Sequence, residues 1–151
     1  MNIILGKDCD IDRWMQLVEK VKESFPGLET SHAMDEHKNT VLAFMDKNSA
    51  ICAKENNKIV GALLFSKTDS ELCFLAVDPE FRRQHIAEKM VTYMLSILNP
   101  EKEIVVTTYR DDVSEGVAAR AFYKQQGFTE GKLCEAFGAP VQEFVLKRKE
   151  D

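Results

Sequence analysis

Phe74-Leu75-Ala76-Val77-Asp78-Pro79-Glu80-Phe81-Arg82-Arg83-Gln84-His85-Ile86-Ala87 carries the change of periodicity on which the fold turns. The strand that leads into it, Leu72 to Val77, is apolar at successive positions, which predicts a central strand covered on both faces. Asp78-Pro79 ends that strand. From about Arg83 to Leu98 the apolar residues Ile86, Ala87, Met90, Val91, Met94 and Leu98 recur at helical spacing, and Asn99-Pro100 stops the run. A buried strand thus runs through a short turn into a helix with arginines at its start. The first-turn N–H groups of a helix lack internal partners and carry partial positive charge, so they suit phosphate or pyrophosphate. Arg82 and Arg83 add charge-assisted donors. The same pair also reads as an ordinary solvated cap.

Outward from this stretch the pattern divides cleanly. Upstream, Asn2–Leu5 reads as a short strand, and Asp10 as the cap of a helix with Ile11, Trp14, Val18 and Val21 on one side. Phe25-Pro26-Gly27 stops that helix. A second helix spans about Thr30 to Asp46, with Met34, Val41 and Met45 on one side and His37 near them. Ala50–Glu55 and Ile59–Ser66 are strand-like around a turn at Asn56-Asn57, and Lys67–Ser70 turns again into Leu72–Val77. Downstream come a buried strand at Ile104–Thr108, a helix over Val117–Gln126 with Gly127 at a left-handed C-cap, and strands near Phe128–Leu133 and Val141–Leu146. The order β-α-α-β-β-β-α-β-α-β-β predicts an α/β (α+β) fold with a mixed central sheet flanked by helices. No linker or repeat interrupts it, so residues 1–151 are expected to form one domain.

Bulk properties narrow the function. A chain of 151 residues buries roughly 70% of its unfolded surface, and needs no disulfide or metal to hold a core. The balance of 44% apolar and 30% charged residues is that of a globular protein. A net charge of −5 argues against a nucleic-acid partner. No apolar run is long enough to span a bilayer, and Met1 to Asp8 lacks the basic start and apolar stretch of a signal peptide, so no membrane partner and a cytoplasmic location are expected. Cys9, Cys52, Cys73 and Cys134 form no C-x-x-C pair and stand at no metal-ligand spacing with His32, His37 or His85, so no metal is expected. Neither G-x-x-x-x-G-K-[ST] nor G-x-G-x-x-G occurs.

Two motifs carry a specific resemblance. Val77-Asp78-Pro79 followed by Arg82-Arg83-Gln84-His85-Ile86-Ala87 is similar to V-x-P and R/Q-x-x-G-x-G/A, and Ala119-Arg120-Ala121-Phe122-Tyr123-Lys124-Gln125-Gln126-Gly127-Phe128 matches A-x-x-F-Y-x-x-x-G-F in full. In this order and on these elements they resemble the GNAT superfamily of N-acetyltransferases over nearly the whole chain. The resemblance implies acetyl-CoA as co-substrate, held by Leu75, Ala76, Val77, Arg82, Arg83, Gln84, His85, Ile86 and Ala87, with Ala119 and Phe122 nearby. The backbone of Leu75 and Val77 would take the pantetheine arm, and the N–H groups from Arg83 to Ala87 the pyrophosphate. The arm would enter where strands Leu72–Val77 and Ile104–Thr108 splay apart. Two departures stand out. His85 replaces the motif's middle Gly, although a helix's first turn does not itself require one. Gly116 replaces an Asn often found six residues before the F-Y pair.

An amine attacks a thioester only when unprotonated, which calls for a base. Glu71, at the start of the central strand, is the candidate base, with Asp69, Glu115 and a water as competitors; it also reads as a solvated turn residue. Tyr123 is the candidate acid for the leaving thiolate, or a packing residue with its hydroxyl on backbone. Cys73, between Leu72 and Phe74, reads as a buried structural thiol more readily than as an acyl carrier. The acceptor is expected to be a small-molecule or peptide amine, bound where the first two helices meet the sheet, near Trp14, Phe25, His32, Met34 and the stretch Phe25-Pro26-Gly27-Leu28-Glu29. An aromatic wall with an acidic rim there suits a cationic amine, although core packing explains the same residues. Arg110 reads either as a ligand for an acceptor carboxylate or as a loop cap. A homodimer through a sheet edge, a non-catalytic acyl-CoA-binding or protein-interaction module, and a nucleotide enzyme using Arg82-Arg83 are the alternatives.

Overall fold

The computed structural model describes residues 1–25, 27–136 and 138–148. Its elements are β1 (Asn2–Leu5), α1 (Ile11–Val21), α2 (Ser31–Asp46), β2 (Ala50–Glu55), β3 (Lys58–Ser66), β4 (Glu71–Val77), α3 (Ile86–Ile97), β5 (Ile104–Tyr109), α4 (Val117–Gln125), β6 (Thr129–Ala136) and β7 (Ala139–Leu146). Seven strands make one sheet in the order β1-β2-β3-β4-β5-β7-β6. Every pairing is antiparallel except β4 with β5. This is the mixed, helix-flanked sheet that the element order predicts.

Strand alternation sorts the core into two layers. Ile51, Leu63, Phe65, Leu72, Ile104, Val106 and Phe144 face one side and pack with Ile86, Met90 and Met94 of α3 and Tyr123 of α4. Ala50, Cys52, Ala62, Leu64 and Ala76 face the other and pack with Trp14, Leu17 and Val18 of α1 and Val41 and Met45 of α2. The central strands are apolar at successive positions because both faces are covered. Gly61 sets how closely α3 approaches β3: a Cβ there would come within 2.8 Å of Ile86 and 2.9 Å of Met90. Among the described residues no helix is long and apolar enough to cross a membrane.

The helix starts refine the sequence expectations. Asp10 stands at the N-cap position of α1 as expected, but its carboxylate makes no capping bond, because the helix follows directly on a 3-10 turn (Asp8–Asp10). Its carboxylate accepts the Lys7 N–H (2.9 Å) and pairs with Lys54 on β2 instead. Thr30 does cap α2, its hydroxyl accepting the Ala33 N–H at 3.0 Å. α3 begins at Ile86 rather than Arg83, because Arg83 and His85 both hold left-handed backbone that breaks the helical path (φ 65° and 61°).

Candidate active site

The parallel pairing of β4 with β5 covers only Glu71 opposite Val105 and Leu72 opposite Val106. Both strands continue, each with its own neighbour: β4 stays with β3 as far as Val77 opposite Gly61, and β5 with β7 as far as Tyr109 opposite Val141. Beyond Leu72 they part and leave a gap. A register shift at Leu64/Phe65, across from Cys73, bends β4 where the parting starts. Register also decides which backbone groups face the gap. The Asp78 N–H donates to Val60 O (2.9 Å), which makes Asp78 and Val60 a bonded pair. Ala76 and Phe74, at alternate positions, therefore bond β3 as well. Leu75 and Val77 direct their N–H and C=O groups to the opposite edge, toward the gap.

At the end of β4 the buried Asp78 organises the turn. Its carboxylate accepts the Glu80 N–H (2.9 Å) and pairs with Lys20 of α1 (2.9 Å). Burial pushes this carboxyl up, but the Glu80 N–H and Lys20 outweigh it and hold it below its ordinary range. Arg82, Arg83, Gln84 and His85 follow as an exposed loop. Alternating handedness in such a loop gathers successive N–H groups into an anion-binding concavity. The loop feeds α3, whose first internal bond runs from Lys89 N–H to His85 O (3.0 Å), so the N–H groups of Ile86, Ala87 and Glu88 have no helical acceptor. The arginines thus stand on the loop before the helix, not in its first turn. The reading that position 85 does not need Gly is corrected: its backbone is left-handed, where glycine has no steric cost. The His85 ring lies beside Glu88, 3.7 Å away, with 75% of the side chain exposed.

The two candidate catalytic side chains lie on opposite faces of the sheet. Tyr123 packs on the α3–α4 face, edge-on to Phe122 and Phe128 with ring centroids 5.6 Å apart in each pair. Ala119 and Phe122 pack on the same core. The Tyr123 ring is 6% exposed and burial raises its hydroxyl well above the ordinary value. That hydroxyl makes no hydrogen bond to the described residues. Glu71 precedes Leu72 and therefore faces the α1–α2 side. It is half-buried, and burial, then Asp69 and Glu143, raise its carboxyl. Glu115 is the reverse case, an exposed carboxylate held low by the Ser114 hydroxyl. Cys73 reaches solvent at the bend instead of lying buried, but its sulfur donates to Glu71 O (3.7 Å). Burial of the sulfur, then Glu71 and Asp69, pushes the thiol up to about 12, which keeps it from acting as a thiolate.

A profile of the acetyltransferase (GNAT) family matches residues 14–128. The chain belongs to the GNAT acetyltransferase family. Its fold is similar to that of a GNAT-family acetyltransferase from Bacillus cereus, with a TM-score of 0.75 and 22% identity over 99% of this chain and 98% of that one. An N-acetyltransferase from Staphylococcus aureus gives a TM-score of 0.75 and 15% identity over 97% and 100% of the two chains. The PaiA N-acetyltransferase from Thermoplasma acidophilum, whose structure is a complex with coenzyme A, gives 0.70 and 15% over 97% and 98%. No curated protein matches at the level of sequence.

In this GNAT domain a cleft of about 430 Å³ opens on the Glu71 side, lined by Lys22, Glu23, Phe25, Leu28, Glu29 and Tyr109. Of the residues expected near an acceptor, Phe25, Leu28 and Glu29 line it, while Trp14, His32 and Met34 do not. Trp14 is fully buried in the core, Met34 packs partly against that core, and His32 is exposed beside Glu36. Arg110 is a cap: its guanidinium donates to Val141 O (3.1 Å) and Cys134 O (2.9 Å). Sequence reading missed Tyr109 altogether. The signal was Gly116, since its small size leaves room for the Tyr109 ring.

Proposed function

We propose that this GNAT domain moves an acetyl group from acetyl-CoA to a primary amine by direct attack of the amine on the thioester. The observation that carries this reading is the parting of β4 and β5 after Leu72. It turns the backbone groups of Leu75 and Val77 toward a gap that leads to the left-handed loop before α3. A pantetheine arm is an extended chain with amides of its own, and such a chain suits the free edge of a strand at Leu75, Ala76 and Val77. The pyrophosphate falls to Arg82, Arg83, Gln84, His85, Ile86 and Ala87, with Ala119 and Phe122 behind the thioester end.

The chemistry then needs two proton carriers. At neutral pH an alkyl amine is mostly ammonium, and Glu71, directly or through a water, takes its proton. The raised carboxyl of Glu71 makes it a stronger base than an exposed glutamate. The amine nitrogen bonds to the thioester carbon, a backbone N–H of β4 steadies the oxyanion, and the C–S bond breaks. The Tyr123 hydroxyl gives its proton to the thiolate, which prevents the reverse attack. The unpaired cysteines suit a reducing compartment, and we place the enzyme in the cytoplasm.

The test is a calorimetric titration with acetyl-CoA, with ADP as control, followed by acetyl transfer to a panel of amines. Micromolar binding, tighter than ADP and weakened by charge reversal at Arg82 or Arg83, supports the reading. Failure to bind acetyl-CoA, or binding with no amine turned over, ends it.

A further inference from the structure

The cleft on the Glu71 side has a chemistry that transfer to an amine does not by itself require. Its apolar floor is Phe25 and Leu28, and behind Phe25 lies an aromatic stack. Phe25 packs on Phe74 of β4 with ring centroids 4.6 Å apart, and His37 of α2 packs on the same ring at 5.0 Å. The His37 Nε2 is enclosed without a hydrogen-bond partner, and burial disfavours its charged form. One wall is Tyr109, held at two points: its ring sits against Gly116, and its hydroxyl donates to Ser24 O (2.9 Å). The rim is acidic, with Glu23 and Glu29. Lys22, the cation of the lining, is paired with Glu19 at 2.7 Å.

Position links this cleft to the gap. Tyr109 of the lining ends β5, and Phe25 of the lining packs on Phe74 of β4, so the cleft touches both strands that part. The volume lies within the range of small-molecule sites, roughly 300–1,000 Å³. A cationic head is favoured by the rim, and an apolar body by the floor. A carboxylate on the same ligand meets two glutamates and no free guanidinium, because Arg110 is committed to Val141 O and Cys134 O.

We propose that this cleft holds the aromatic body of a small primary amine that carries no carboxylate, an arylalkylamine, and that Tyr109 is the specificity-determining wall. The inference rests on the acetyltransferase reading and names the acceptor class of that site.

The probes are 2-phenylethylamine, butylamine, spermidine and phenylalanine, each with acetyl-CoA, read as thiol release. For 2-phenylethylamine, kcat/KM is expected to exceed that for each of the others by at least about tenfold, the return on burying a ring in an apolar site. Tyr109→Ala is expected to remove most of that preference, chiefly through KM, while acetyl-CoA binding by calorimetry stays as in the native protein. Tyr109→Phe, which keeps the ring and loses only the bond to Ser24 O, tests the same wall with little risk to folding and is expected to lower the preference severalfold. Spermidine or phenylalanine acetylated as well as 2-phenylethylamine overturns the proposal, as does a preference unchanged in both variants. Where no amine is acetylated, calorimetric binding of 2-phenylethylamine to the CoA complex separates the two claims. Binding that Tyr109→Ala abolishes keeps the cleft assignment while the transferase reading falls, and no binding overturns the cleft assignment as well.

Discussion

A Cβ atom on Gly116 would lie 2.3 Å from the Cβ of Tyr109. The backbone before α4 and the end of β5 are therefore in contact, and Tyr109 keeps its place only because position 116 has no side chain. Gly116→Ala forces one of them to move, at a cost of about 1–3 kcal/mol typical of overpacking. Urea unfolding measures it. The same change made in a Tyr109→Ala background should cost much less, because the clash has gone. Additive costs would mean that the contact is not the reason for the glycine.

The loop before α3 makes a different prediction. His85 sits at φ 61°, and a non-glycine residue in the left-handed region costs roughly 1–2 kcal/mol. Part of that is returned by the stiffer unfolded chain, so His85→Gly should stabilise the fold by about 0.5–1 kcal/mol. It should also leave acetyl-CoA affinity equal or higher, since the glycine keeps the loop's shape and removes a ring from its edge. Thermal unfolding with and without acetyl-CoA checks both. A lower melting temperature would show that the His85–Glu88 contact outweighs the backbone strain.

The strands and helices were legible because their periodicities are strong. Leu72–Val77 and Ile104–Val106 are apolar at successive positions, and β4 lies between α1 on one face and α3 on the other. The A-x-x-F-Y-x-x-x-G-F run places Tyr123 on a helix in the core. What sequence could not show is where a parallel pairing stops. The parting of β4 and β5 arises from a register shift opposite Cys73 and from each strand following a different antiparallel neighbour. Nothing local in Phe74 or Thr107 encodes that. Handedness at Arg83 and His85 was equally hidden, because neither residue type announces a positive φ. Trp14 and His32 were placed near the acceptor by helix position alone. The turn of each helix sends Trp14 into the core and His32 to solvent.

Arg120 ties the end of β5 to the last hairpin. Its guanidinium donates to Tyr109 O (2.9 Å), Gln142 Oε1 (2.8 Å) and Glu130 Oε2 (2.7 Å), and lies over the Phe144 ring. The residue is 6% exposed, so removal strands the buried Gln142 Oε1 and the Tyr109 carbonyl, while exposed Glu130 keeps Lys124 and water. Arg120→Met keeps much of the volume and should still cost roughly 3 kcal/mol. Because Tyr109 O is among the stranded groups, the variant should also weaken acceptor binding more than acetyl-CoA binding. A loss below about 1 kcal/mol would place the network among surface pairs of little energetic weight.

Glu71 should show opposite pH trends in stability and activity. Folding raises its carboxyl above the ordinary 4.5, by burial first and then by Asp69 and Glu143. A raised carboxyl favours the protonated form in the fold. Its contribution to stability is thus full below 4.5 and is lost as pH rises through the folded value. At neutral pH the ionised group is a cost, so Glu71→Gln should stabilise the protein there and have little effect in acid. Activity runs the other way, since only the carboxylate accepts a proton. The native rate should rise with pH through the raised value, and Glu71→Gln should lose that limb. A native-like pH–rate profile in Glu71→Gln would assign the base to another group or to water.

Tyr123→Phe isolates the acid. The Tyr123 ring is packed among Phe122, Phe128 and Phe144, while its hydroxyl has no protein partner among the described residues. The substitution therefore removes an oxygen and leaves the packing intact, so stability should change by less than about 0.5 kcal/mol. Acetyl-CoA affinity should also hold, because the ring and its packing remain. If the hydroxyl protonates the leaving thiolate, kcat should fall by about 10²- to 10⁴-fold, the usual weight of a positioned proton donor. The burial that raises this hydroxyl keeps it protonated throughout the neutral range, so the loss should be the same from pH 6 to pH 9, a window bounded here by the ordinary titration of histidine and tyrosine at roughly 6.5 and 10. A rate within about threefold of native, with stability unchanged, would make Tyr123 a packing residue and leave the thiolate to leave unprotonated.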